Sequence, residues 1–296
     1  MRIGTLEIHL VSDGVVWVDA GGPFGLVPQP LYREAFPPDG ENRVPMSLHV
    51  VVLRSEGKTI VVDTGLGPKL TADEERRWGL VREQGGLEAG LAEIGVGLDD
   101  VDLVINTHLH ADHCGGNTRR GASGVEARFP RAIYLVPRIE WAEASHADPR
   151  TRAAYLPENF APLVTGGRVR LLHGETPVTS HVTCLPLPGH TRGHQGVRLT
   201  SGDWLGLCVA DMASYSVHLS RTAWLTAYDV LPLENLATKR RWQAWALQTQ
   251  GWIFFPHDPF VPIGQLEESR GRLRVQAPPG AGELTAGLPT PRPPPG

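Results

Sequence analysis

Thr107-His108-Leu109-His110-Ala111-Asp112-His113-Cys114-Gly115-Gly116 decides how the rest of this chain is read. Three histidines and one aspartate fall within six positions. They come directly after the apolar run 101–106, which reads as a short buried strand. His108 and His110 are two apart, so on an extended backbone both point to one face. Asp112 and His113 follow where the chain turns toward a helix, and so address a second spot nearby. Imidazole combined with carboxylate suits zinc, iron, manganese or cobalt far better than calcium. Taken alone, the stretch is also a polar loop with chance histidines; ligand-type residues further along the chain weigh against that.

Those residues appear in order on working outward. Pro188-Gly189-His190-Thr191 follows the strand-like run 183–187. Asp211 ends the apolar run 204–210, and Phe254-Phe255-Pro256-His257 ends another. Upstream, the β-branched runs 48–54 and 59–62 form a hairpin through Ser55-Glu56-Gly57-Lys58 and close on Asp63-Thr64-Gly65. An acid at the end of an apolar strand is costly to bury unless something pairs with it, and a cation is a natural partner.

Asp63-Thr64-Gly65, His108-Leu109-His110-Ala111-Asp112-His113, Pro188-Gly189-His190-Thr191, Asp211 and His257 together resemble the metallo-β-lactamase fold hydrolase superfamily. The resemblance implies an α/β fold, a four-layer αββα sandwich with metals at one edge of two sheets. It implies two divalent metal ions per chain, zinc foremost, with iron, manganese or cobalt accepted by the same ligands. His108, His110 and His190 would hold one ion; Asp112, His113 and His257 the other; Asp211 would bridge them. Asp63 would steady the ligands by hydrogen bonds. The implied reaction is hydrolysis by a hydroxide shared between the ions, with Asp112 receiving and returning a proton. Family branches that open β-lactams lack a carboxylate at the bridging position, so Asp211 points away from them.

The segment 223–242, Phe255-Pro256-His257-Asp258-Pro259 and the Pro-rich excursion 20–45 are similar to the quorum-quenching lactonase-like branch. The expected substrate is therefore a small lactone or related ester, of the N-acyl homoserine lactone type. Lactonases of that branch carry a tyrosine three residues after the bridging aspartate; here Ser214 is third and Tyr215 fourth. Tyr215 is the candidate catalytic tyrosine, with Tyr228 second. Phe24, Leu26, Leu31, Tyr32, Phe36 and Trp224 are candidates for an acyl groove. The alternatives are a phosphodiesterase or phosphotriesterase of the same fold, or a non-catalytic metal-binding module.

Charge and composition narrow the field. The 296 residues carry 28 Lys+Arg against 32 Asp+Glu, a net charge of −4, with basic clusters only at Arg119-Arg120 and Lys239-Arg240-Arg241. This gives no footprint for nucleic acid. No run approaches ~18 apolar residues, so no membrane partner is expected. Three scattered cysteines and an opening segment without a signal-peptide core point to the cytoplasm. The excursion 20–45 reads as a loop suited to a lid or a homodimer contact. One catalytic domain is expected over 1–275. The tail 276–296, dominated by Pro, Gly and Ala, reads as disordered. A helix is expected over 235–250, and two helices with a break over 71–94.

Overall fold

Each half of the chain builds one seven-stranded sheet. The structure is a computed structural model and describes residues 1–292. The first half contains β1 (Arg2–Ile3), β2 (Leu6–Asp19), β3 (Arg43–Ser55), β4 (Lys58–Val62), β5 (Leu103–Ile105), the small hairpin β6 (Thr118–Gly121) and β7 (Gly124–Ala127), β8 (Ile133–Pro137) and β9 (Val169–Leu172). The second contains β10 (Thr176–Pro177), β11 (Val182–Pro186), β12 (Gln195–Ser201), β13 (Trp204–Cys208), β14 (Trp252–Phe254), β15 (Ile263–Ser269) and β16 (Arg272–Gln276). The two sheets run β1-β2-β3-β4-β5-β8-β9 and β10-β11-β12-β13-β14-β15-β16.

Side-chain alternation produces the layers. On β3, Val51 and Leu53 face a core shared with Val182, Val197 and Leu199 of the second sheet. Their neighbours Val50 and Val52 turn the other way, onto Leu87 and Leu91 of the helix Gly86–Glu93. The second sheet repeats the pattern: Leu207 and Ile253 pack outward on Trp242 and Ala246 of the helix Pro232–Thr249. Helix, sheet, sheet, helix is the expected αββα sandwich. Helices at Ala72–Trp78 and Gly86–Glu93 match the expected broken pair. Among the described residues no helix is long and apolar enough to cross a membrane.

Strand direction sets the position of the site. β4 and β5 are parallel, as are β13 and β14, so their C-terminal ends lie on one side of their sheets. Asp63, the 108–113 stretch, Asp211 and His257 all leave from those ends.

Three expectations need correction. Residues 20–45 are not an open loop but contain the short helices Gly21–Phe24 and Gln29–Ala35. Phe24, Tyr32 and Phe36 are buried in an aromatic cluster with Tyr215 rather than lining a groove, while Leu26 and Leu31 face solvent. Helix formation lets the excursion bury its own aromatics, which composition alone does not reveal.

The domain boundary at 275 and the disordered tail fail over 276–292. Residue 275 lies inside β16, and a helix follows at Ala281–Thr285. Ala281 and Leu284 join the inter-sheet core, with Leu288 packed against it. These three apolar residues, at helical spacing, close an open end of the core between Gly- and Pro-rich flanks. Residues 293–296 of the tail lie outside the described residues. Leu284→Ala is expected to lower unfolding stability by about 2 kcal/mol. Urea titration checks this; a tail that contributes nothing to the fold would leave the midpoint where it was.

Candidate metal centre

The 108–113 stretch is folded by a backbone clasp. His113 O accepts from Thr64 N at 2.7 Å, and Gly65 O accepts from Gly116 N at 3.0 Å. Any side chain on Gly115 or Gly116 would strike the backbone of residues 64–66, which explains the glycine pair. After His110, the single turn Ala111–Cys114 swings Asp112 and His113 to their own side. Two residues enter the site in left-handed backbone, Asp63 at φ 59° and Ala210, just before Asp211, at φ 45°.

The seven ligand-type residues converge. Three overlapping groups form: His108, His110 and His190; His108, His113 and Asp211; Asp112, His113 and His257. Asp211 lies between them. Its Oδ2 is 3.3 Å from His190 Nε2 and 3.4 Å from His113 Nε2. Its Oδ1 is 3.1 Å from His257 Nε2. Asp112 Oδ2 lies 3.6 Å from His257 Nε2 and 3.7 Å from His113 Nε2.

Three of the five imidazoles are anchored by their outer nitrogen. His113 Nδ1 faces Asp63 Oδ2 at 2.9 Å, His190 Nδ1 faces Asp229 Oδ1 at 3.0 Å, and His257 Nδ1 faces Ser47 O at 2.7 Å. A proton on Nδ1 serves these acceptors and leaves an Nε2 lone pair aimed inward. His113 Nε2 and His257 Nε2 meet at 3.1 Å, a contact that requires a proton or a cation between them. His108 Nε2 and His110 Nε2 are buried without a hydrogen-bond partner among the described residues. Buried acceptors turned on one another are unfavourable unless a cation or proton is shared. The residues therefore fit a pair of cations held by imidazole and carboxylate, and the donor set is that of a transition metal.

Charge within the cluster is divided. Burial, then the neighbouring imidazoles, hold His108 and His110 well below the usual histidine range. Burial also acts against the charged form of His113, but Asp112, Asp211 and Asp63 outweigh it and lift the group well above 6.5. Burial would raise Asp211, yet His257, His113 and His190 hold it well below 3.8.

Three supporting residues deserve roles that the sequence did not assign to them in full. Asp229, besides orienting His190, accepts from Thr226 Oγ1 at 3.0 Å and Asn235 Nδ2 at 2.9 Å. Glu140, fully buried, accepts from Leu109 N at 3.0 Å, Tyr155 Oη at 3.0 Å and Thr191 Oγ1. It thereby ties the His108–His110 loop to the His190 loop. Neither carboxylate has a telling spacing in sequence. His194, read from sequence as supporting rather than ligating, accepts from Asp211 N at 3.0 Å and faces Leu187 O at 2.9 Å.

Tyr215, the candidate catalytic tyrosine, is set with its hydroxyl away from the ligand cluster. Its ring lines the cavity, but its hydroxyl donates to Pro45 O at 3.1 Å, and the residue is wholly buried against Phe24 and Phe36. The extra residue between Asp211 and the tyrosine turns the phenol into the core. Ser214, in the third position, donates to Asp211 Oδ1 at 3.2 Å instead.

A cavity of about 460 Å³ opens onto the cluster. Val18, Pro23, Met46 and Trp78 give it an apolar wall; His110, Asp112, His190, Asp211 and His257 lie at its polar end. Removing an outer anchor is expected to weaken metal binding without unfolding the chain. Asp229→Asn should cost about 10–100-fold in metal affinity, read by competition with a chromogenic chelator. An unchanged affinity would show that the His190–Asp229 bond does not orient a ligand.

Comparison with known proteins agrees with this fold. The N-acyl homoserine lactonase AttM of Azorhizobium caulinodans is 26% identical over 237 residues, covering 75% of this chain and 84% of the relative. A Staphylococcus aureus crystal structure, called a probable metal-dependent hydrolase, superposes with a TM-score of 0.85 at 26% identity, covering 94% of this chain and 97% of that one. AidC, a dizinc quorum-quenching lactonase solved with its product, superposes with a TM-score of 0.78 at 18% identity, covering 94% and 96%. Residues 44–205 match the family described as the Metallo-beta-lactamase superfamily, and the chain belongs to it.

Proposed function

We propose that this metal-dependent hydrolase holds two divalent cations and opens uncharged cyclic esters, lactones of the N-acyl homoserine type foremost. The observation that carries the reading is the apolar cavity ending on the ligand cluster. Similarity to AttM supports the substrate class. His108, His110 and His190 would hold one ion, Asp112, His113 and His257 the other, with Asp211 between them. When bound, such ions acidify water and polarise a carbonyl.

The chain supplies the rest. Val18, Pro23, Met46 and Trp78 shelter an acyl chain and keep bulk water from the reacting ester. Asp112 Oδ2 is at the cavity wall and 14% exposed as a side chain, more than the other ligand carboxylate. It is placed to take a proton from the attacking water and return it to the alkoxide that leaves when the ring opens. His194 fixes the backbone of Asp211 and Glu140 fixes both histidine loops, so the reacting geometry is set before substrate arrives.

Charge favours this reading over a phosphodiesterase. Arg150 is the one arginine or lysine lining the cavity among the described residues, and one edge of its guanidinium already donates to Ala227 O at 3.1 Å. A site for phosphodiesters would be expected to offer more cations and bidentate donors.

The test is a hydrolysis panel on metal-loaded protein: N-acyl homoserine lactones of graded chain length, a phosphodiester and a phosphotriester. Lactone turnover well above the other two is expected, and a clear phosphodiester preference would overturn the proposal. Asp211→Ala should lose about 10³-fold or more in kcat/KM along with bound metal. Its far-UV circular dichroism should match the parent chain, which separates loss of metal from loss of fold.

A further inference from the structure

Tyr228 stands at the mouth of the metal cavity in an arrangement that the ligand set does not explain. It lines the cavity and is also 46% exposed, so its ring meets both the cavity and solvent. Its hydroxyl end is the enclosed end. That end lies against Gly22, and a methyl group on Gly22 would occupy the space of the Tyr228 hydroxyl. Partial burial, then the nearby Asp112 and Asp19 carboxylates, push its phenol up to about 12, so it stays neutral at ordinary pH.

The loop bearing Tyr228 is held from two sides. On one, Ala227 N donates to Gly22 O at 2.9 Å. Gly25, at φ 53°, lets the same turn approach Leu225 O, which a Cβ would meet at 2.9 Å. On the other side, Arg150 Nη2 donates to Ala227 O at 3.1 Å. Just beyond Tyr228, Asp229 is fixed on His190. The ring thus reaches from a pinned loop, along the cavity lining, to Gly22 on the Gly21–Phe24 helix.

We propose that Tyr228, seated on Gly22, is a bar across the cavity mouth that sets how bulky a substituent the scissile ester carries. The inference rests on the lactone reading for its substrates and on geometry alone for the bar. Gly22 provides an unusually clean test. It belongs to a right-handed helical turn, so alanine suits its backbone, and the atoms it would meet are the end of the Tyr228 side chain. Gly22→Ala should therefore move the ring without touching a ligand.

Two measurements decide the matter on the metal-loaded protein. In the first, Met46→Cys places a thiol on the buried cavity wall, while the three native cysteines are buried elsewhere. It is labelled with a small and a bulky methanethiosulfonate. Gly22→Ala, and separately Tyr228→Ala, should speed the bulky reagent by about tenfold relative to the small one, the scale of a steric pocket contact. Tyr228→Phe, which keeps the ring, should not. In the second, kcat/KM for a lactone with a branched, bulky acyl group is compared with that for a short linear one. The same two variants should shift the ratio toward the bulky lactone by about tenfold.

Unchanged bulky labelling in both variants overturns the bar. Faster labelling with an unchanged lactone ratio overturns it as well, since the ring would then screen reagents without sorting substrates. If the parent chain opens neither lactone, the lactone reading fails, and the labelling alone decides whether Tyr228 bars the mouth. Tyr228→Ala keeps the test open should Gly22→Ala not fold.

Discussion

A carboxylate enclosed by imidazoles is the constraint on which this structure turns. Asp211 is only 6% exposed, yet three histidine nitrogens lie within 3.4 Å of its oxygens. A lone buried anion would be untenable, and a set of inward-facing imidazole lone pairs would be nearly so. Each is acceptable because the other is there and because both suit a shared cation. The rest of the fold can be read as the means of delivering these groups to one place. Parallel strand pairs end side by side, a glycine pair lets two backbones touch, and left-handed residues turn the chain sharply into the site.

The supporting layer is as specific as the ligands. Asp63, Asp229 and the Ser47 carbonyl each fix one ring by its outer nitrogen. Glu140 acts differently, since it joins two ligand loops through one buried side chain. Burial raises its carboxyl, and three donors work against that shift. An acid in this position is costly in isolation, and its value lies in fixing the distance between loops that come from opposite halves of the chain.

Much of this was legible in the sequence, and the boundary of legibility has a physical cause. The ligand-type residues could be found because they follow the ends of apolar strands, where local pattern exposes a polar residue that ought not to be there. Asp63 could be found for the same reason. Asp229 and Glu140 could not, because the histidine that Asp229 orients is 39 residues away and the two loops that Glu140 joins are 31 and 51 residues away, and contacts between loops leave no period in a sequence. Tyr215 shows the limit of counting along a chain. A position counted along the chain was right to within one residue, but in a tight turn one residue reverses the direction of a side chain. The tail failed because three small apolar contacts suffice to order a short helix, and composition averages them away among prolines and glycines.

Both sheets contribute to the cluster, His108 to His113 from the first and His190, Asp211 and His257 from the second. A cation bound there would therefore act as a cross-link between the two halves. Emptying the site would remove that cross-link at the rim, while the opposite edge stayed packed. Chelation should loosen the molecule from one side, so that proteases find their first cuts in the loops around the rim. Cellular turnover of this chain would then follow the supply of its metal, independently of whether any substrate is present.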